Sequence, residues 1–248
     1  MILGNGGVYM NRVICNIPHS SLEIPEWALN DFIISDLELK FFNEKMVDKD
    51  VDKLFDFVKS ENKVVSNISR IVVDMERFEE DTKEEMAKKG MGLFYTKDDF
   101  GKEIRRKGST YSWAYMHYKM YHSELNAKVR KCINKNQSCY ILDCHSFHDG
   151  LEYTGYSCNT FPDVCIGLNS DIITNEIREV IEVFEKAGYY VNINKPFSGS
   201  LIPSDFSKDK RVKSLMIELN RRIYCSSLED FEKVKYLCKQ VYRILNEC

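Results

Sequence analysis

Short apolar runs rich in β-branched residues alternate along this chain with longer segments of helical periodicity, and that alternation limits the fold more than any other feature. The runs are Val13 to Ile17, Val64 to Ile68 with Ile71 to Val73, Tyr140 to Leu142, Val164 to Leu168, Tyr189 to Ile193 and Leu215 to Leu219, each short enough for a buried strand. Between them, apolar residues recur at three- and four-residue steps over 36 to 60 (Leu37, Phe41, Phe42, Met46, Leu54, Phe55, Val58). The same spacing runs from Tyr111 to Ile133 through Trp113, Tyr121, Leu125 and Val129. Ile173 to Ala187, with Gly188 placed to end it, and Leu228 to Leu245 complete the helical set. Strands alternating with helices predict an α/β layer fold in which helices cover a mixed, mostly parallel sheet.

No repeat, low-complexity tract or linker divides the 248 residues, so a single domain over 1–248 is expected. The 35 basic and 38 acidic side chains nearly cancel, which argues against nucleic acid or an anionic membrane surface as partner. Nine scattered cysteines with no Cys-x-x-Cys pair form neither a disulfide framework nor a zinc cage, and several lie within apolar runs as small hydrophobes. No run approaches the ~20 apolar residues that span a bilayer, and the N-terminus lacks a signal core, so a cytoplasmic location is expected.

In open α/β sheets chemistry collects at the carboxyl ends of strands. Those ends carry Pro18-His19-Ser20-Ser21, Asp74-Met75-Glu76-Arg77, Asp143-Cys144-His145-Ser146, Asn194-Lys195-Pro196-Phe197 and Glu218-Leu219-Asn220-Arg221. Of five histidines, His19 and His145 directly follow strand-like runs. Imidazole is the commonest protein ligand for zinc, although either residue alone reads more readily as a hydrogen-bonded histidine at a core edge, and it is their matched placement that points to metal. Glu218, immediately after Leu215-Met216-Ile217, is costly to bury unless functional or ion-paired with Arg221 or Arg222. As a functional group it is a candidate general base beside an activated water. Arg70, Arg77 and Arg221 offer planar donors for a carboxylate or an oxyanion, whereas Lys102, Arg105, Arg106 and Lys107 read as a solvated loop.

Other signals are weaker. Gly4-Asn5-Gly6-Gly7 precedes its strand and so lacks the context of a phosphate loop. The aromatics Trp113, Tyr115, Tyr118, Tyr121 and Tyr140 read as core rather than as a base-stacking platform. Cys144 beside His145 suggests a cysteine hydrolase, but adjacent strand residues point to opposite faces. No Gly-x-Ser-x-Gly elbow supports a serine hydrolase.

In order along the chain, Pro18-His19-Ser20-Ser21 with Ile24-Pro25, Asp48 with Val51-Asp52-Lys53-Leu54-Phe55, and Ser69 to Arg77 resemble motifs of the N-formylglutamate amidohydrolase family. Gly92 to Gly101, Tyr121-His122, Asp143 to Ser146, Asn194 to Gly199 and Ile217 to Tyr224 extend the resemblance over about residues 13 to 225. The resemblance implies a three-layer αβα fold, phosphorylase/hydrolase-like and related to zinc carboxypeptidases. It further implies one catalytic zinc and hydrolysis of an N-acyl amino acid of the N-formylglutamate type. Carried over by motif position, His19, Asp48 and His145 would bind the metal, with Glu23 or His148 as alternatives to Asp48. Glu218 would be the base and Arg70 a catalytic arginine. Arg77, Arg221 and Asn194 would hold substrate, and Asp143 would orient the site from behind.

Departures from the family pattern fall at Ser21 (a glycine), Leu22 (the ligand glutamate of carboxypeptidases), Glu76 (an asparagine) and Ser200 (a glycine). A carboxylate at position 76 facing the pocket would repel a dicarboxylate substrate. The rival to a zinc amidohydrolase is a binding or regulatory protein holding a small carboxylate in the same cleft. Oligomeric state is not encoded in any of these features.

Overall fold

The computed structural model describes residues 11–106, 108, 110–150 and 161–247; the Gly4 to Gly7 stretch and Lys107 lie outside them. Six strands form one sheet in the order β2-β1-β3-β6-β4-β5: β1 (Val13–Ile17), β2 (Lys63–Val65), β3 (Cys139–Phe147), β4 (Val164–Gly167), β5 (Val191–Ile193) and β6 (Val212–Asn220). All neighbouring pairs are parallel except β4 with β6, the mixed and mostly parallel sheet that the strand-helix alternation predicts.

Strand alternation sorts the sheet into two faces. Val13, Cys15, Ile17, Leu142, Cys144, Leu215, Ile217 and Leu219 share one core with α3 (Val51–Leu54), α5 (Asn175–Lys186) and α6 (Leu228–Glu247). The opposite face, through Ile14, Cys139, Ile141 and Val212, packs on α4 (Tyr111–Asn136). Three layers result. Gly188 adopts φ +89° just past α5, the left-handed stop expected of a helix C-terminus.

The segment 36 to 60 is not one helix. After the short α1 (Glu26–Leu29), α2 (Asp36–Met46) starts at a capping box between Ser35 and Glu38 and ends where Val47 turns extended. Leu39, Phe42 and Met46 of α2 bury themselves with Ile71, Met91, Tyr95 and Ile104, whereas Val51 and Leu54 of α3 belong to the sheet core. The two halves serve different cores, so the chain breaks between them, at Asp48. Leu37 and Phe41, part of the apolar spacing, face outward instead.

Three other expectations differ from the structure. Ile71 to Val73 form no strand; Val72 and Val73 both donate to the Ser69 carbonyl in a tight turn, and all three side chains are fully buried. Arg105 is not a solvated loop residue: its guanidinium is buried, donates to the Val72 carbonyl, pairs with Asp31 and lies 4.7 Å from the Tyr111 ring centre. Of the aromatic stretch, Tyr118, Tyr121 and Tyr140 are core, but Trp113 and Tyr115 are exposed. Gly167 is dictated by close approach, since a Cβ there would lie 2.2 Å from the Gly199 carbonyl oxygen.

Leu142→Ala, in the fully buried centre of β3, is expected to lower unfolding free energy by about 2–5 kcal/mol, and Leu37→Ala on the exposed side of α2 by less than about 0.5 kcal/mol. Paired urea titrations check both values.

Candidate metal centre and active site

A cavity of about 700 Å³ opens where β1, β3 and β6 end, and its walls include His19, Asp48, Arg70, His145, Glu218 and Arg221. The register explains the convergence. Asn16 of β1 stands beside Asp143 of β3, and His145 beside Glu218 of β6. Asp143, His145, Met216 and Glu218 occupy the face that α4 covers further down, so the polar cluster caps an apolar layer.

Asp48 arrives from the break between α2 and α3, where its N–H donates to the His19 carbonyl at 2.8 Å. Its Oδ2 lies 2.9 Å from His145 Nδ1 and 3.7 Å from His19 Nδ1, and the two rings are 5.2 Å apart. His19, Asp48 and His145 thus offer three buried donor atoms around one point, an arrangement that can hold a metal ion. Glu23 and Leu22 are exposed, and His148 turns its Nδ1 to the Asp149 carbonyl, so Asp48 is the carboxylate that joins the two histidines.

The outer nitrogens of both rings are tied down. His19 Nε2 is 2.7 Å from Asp74 Oδ1, leaving Nδ1 buried without a hydrogen-bond partner. His145 Nε2 is 3.1 Å from Asp143 Oδ1 and 3.0 Å from Glu76 Oε2. Glu76, Asp143 and His145 form a second group able to hold a metal. Its oxygens are already satisfied, however: Asn16 Nδ2 donates to both carboxylates and the Leu201 N–H to Asp143 Oδ2. The donor set on the Nδ1 side, with an orphaned imidazole nitrogen, fits a divalent cation better. In that arrangement the carboxylates on the Nε2 side orient the rings, the usual support of metal-bound histidines.

Asp74, fully buried, is shared by His19, Tyr95, Arg70 and Arg77. Burial alone would raise its carboxyl, but Arg70, His19 and Arg77 hold it well below the ordinary range. Burial works the same way on Asp48 and Asp143 and is overcome by the imidazoles; Asp143 is brought down to about 2. Glu76 is raised by burial and by Asp143 beside it. Burial lowers His145, but the surrounding carboxylates win and hold it well above its usual value.

Glu218 is different. Its Oε2 is buried without a partner, no ion pair to Arg221 or Arg222 forms, and burial pushes its carboxyl up to about 8. Arg222 is bound instead to Asp149 and Asp163, and Arg221 to the Val47 and Glu44 carbonyls. Arg70 Nη1 lies 3.6 Å from Asp48, and Arg77 reaches Asp74 and Glu84. Asn194 is not among the cavity-lining residues: its side-chain oxygen accepts from the N–H groups of Leu168 and Gly199, which shapes the turn that presents Phe197. Cys144 faces the opposite core and bonds the Leu142 carbonyl, away from His145.

The sequence reading assigned no role to Asn16, Asp74 or Tyr95. Asn16 shows as a polar residue inside the apolar run of β1, and Asp74 as the polar residue that ends the run Ile71 to Val73.

The profile of the N-formylglutamate amidohydrolase family matches residues 11–225. A crystal structure of N-formylglutamate amidohydrolase from Ralstonia eutropha JMP134 superposes with a TM-score of 0.81 at 18% identity, covering 95% of this chain and 93% of that one. The structure of gene product Atu2144 from Agrobacterium tumefaciens gives 0.69 at 15% identity, covering 96% and 91%. Among curated proteins no sequence matches. The fold is that of an α/β amidohydrolase. By its sequence profile, the chain belongs to the N-formylglutamate amidohydrolase family.

Asp74→Ala would strand Arg70 and Arg77 with a diminished set of acidic partners in a buried setting, and a loss of about 3–5 kcal/mol is expected. Chemical denaturation followed by tryptophan fluorescence measures it.

Proposed function

We propose that this protein hydrolyses the amide bond of an N-acyl amino acid at a site where His19, Asp48 and His145 hold one divalent ion, zinc being the best match to two imidazoles and a carboxylate. When bound, such an ion supplies Lewis acidity and lowers the pKa of water. The observation that carries the reading is the buried, unpartnered Glu218 Oε2 in the same cavity as this donor set.

Glu218 takes the proton of the attacking water while the water oxygen bonds to the carbonyl carbon. The carbon–nitrogen bond then breaks as Glu218 delivers that proton to the departing nitrogen, and the acyl group leaves as a carboxylic acid whose remaining proton passes to the released amine, giving carboxylate and ammonium products. A carboxyl raised to about 8 titrates close to neutrality, where one group can both accept and release a proton. Arg70, locked by Asp74 and directed at Asp48, stands ready to donate to the oxyanion. Arg221 lines the cavity as the group for the substrate carboxylate, and Arg77, beside it in the wall, is held by Asp74 and Glu84. Asp143 and Asp74 hold the imidazoles in place.

Glu218→Gln is expected to lower kcat about 10²–10⁴-fold on an N-formyl amino acid with KM little changed, since the side chain keeps its shape and loses its basicity. Asp143→Asn is expected to weaken metal binding about 10–100-fold. Steady-state kinetics and elemental analysis after dialysis read the two results. One metal per chain without turnover on a broad N-acyl panel would favour a binding protein instead.

A further inference from the structure

Resting on the amidase reading, we propose that the substrate is an N-acyl amino acid with one carboxylate and an apolar side chain rather than a dicarboxylate such as N-formylglutamate. The charges around the cavity leave room for one carboxylate. Five cationic side chains line it, Lys45, Arg70, Arg77, Lys83 and Arg221. Lys45 pairs with Asp99, Arg70 with Asp74, Arg77 with Asp74 and Glu84, and Lys83 with Glu80. Arg221 alone meets no carboxylate among the described residues; backbone carbonyls accept from its guanidinium, and its Nε is buried without a partner. Carbonyl oxygens satisfy hydrogen bonds without cancelling charge, so a single fixed positive charge is left to receive an anion.

The wall that remains for the rest of the substrate is largely apolar. Phe147 and Phe197 meet edge to face at 5.4 Å between ring centres, and Met216, Pro196 and Phe78 extend the same cavity. Phe147 and Met216 are buried and Phe78 is exposed, so the apolar surface runs from the floor of the cavity to its rim. Glu76, where the family pattern has asparagine, adds an acidic group to the cavity and no donor to greet a second carboxylate. A volume of about 700 Å³ sits well inside the ~300–1,000 Å³ range of small-molecule sites and leaves room for a side chain the size of methionine or phenylalanine.

The test is a panel of N-formyl-L-methionine, N-formyl-L-phenylalanine, N-formyl-L-glutamate, N-formyl-L-lysine and N-formyl-L-methioninamide with the metal-loaded wild-type protein. The two apolar monocarboxylates are expected to exceed N-formyl-L-glutamate and N-formyl-L-lysine at least tenfold in kcat/KM. Arg221→Met should raise KM for N-formyl-L-methionine at least tenfold more than it raises KM for the methioninamide, which has no carboxylate to lose the contact. A preference for the dicarboxylate or for the lysine derivative overturns the inference while leaving the amidase reading intact. If no panel member is hydrolysed, the amidase reading has failed, and titration calorimetry of the same compounds with Glu218→Gln protein decides the inference. Tighter binding of the apolar monocarboxylates supports it, and any other order, or no binding, overturns it.

Discussion

Burial of acidic side chains at the carboxyl end of the sheet is the constraint around which the rest of this structure is organised. Asp48, Asp74, Asp143 and Glu218 are buried there, with Glu76 close to it, in surroundings where an uncompensated carboxylate is costly. The compensation is local and unequal. Asp74 has two guanidiniums, a tyrosine hydroxyl and an imidazole and stays far into its ionised range. Glu218 Oε2 bonds to none of these, and burial, outweighing the pull of His145 and Arg70, pushes the carboxyl up to about 8. Two chemically identical groups are thereby given opposite properties, one a fixed counter-charge and the other a group able to move a proton.

The fold supports so polar a cluster because the strands deliver it in register. Parallel pairing of β1, β3 and β6 sets Asn16 beside Asp143 and His145 beside Glu218, and alternation turns these to one face while Cys144, Ile17 and Ile217 anchor the other. Slipping β3 by one residue would send His145 into the apolar core and Cys144 into the cavity. The remaining groups come from loops that the sheet cannot place by pairing. Asp48 is brought in by the helix break and its bond to the His19 carbonyl, and Asp74 by the turn that begins at Ser69. That turn buries Ile71, Val72 and Val73 completely, so its position is fixed by packing as firmly as a strand would be.

Much of this was legible in the sequence, for physical reasons that also explain the rest. Strands show because a buried parallel strand needs a short apolar run, and β1, β3, β4 and β6 each contain theirs. His19, His145 and Glu218 stand out because a polar residue directly after such a run occupies the strand end where a pocket forms. Ile71 to Val73 deceived because full burial in a turn produces the same apolar composition as a strand. Arg105 deceived because its partners, the Val72 carbonyl, Asp31 and the Tyr111 ring, are remote along the chain from its polar neighbours. Asn194 sits at a strand end like the histidines, but its side chain is held by backbone N–H groups of the turn it shapes, and nothing in its neighbourhood along the chain signals that.

Glutamate at position 76 has a consequence beyond the charge it brings. Asn16 Nδ2 and His145 Nε2 both face Asp143 Oδ1, and Glu76 reaches both of them. Asparagine there could offer its own N–H to Asp143 at any pH, whereas a glutamate competes for the same hydrogens when ionised and donates to Asp143 only when protonated. The pair therefore settles unevenly, with Asp143 held low and Glu76 driven up by burial and by Asp143 itself. Because Glu76 also lines the cavity, a molecule bound there lies next to the group that shares the outer nitrogen of His145. In this chain the substrate side of the pocket and the orientation of a histidine in the donor set are linked through one carboxyl group, a coupling that an asparagine would not provide in the same form.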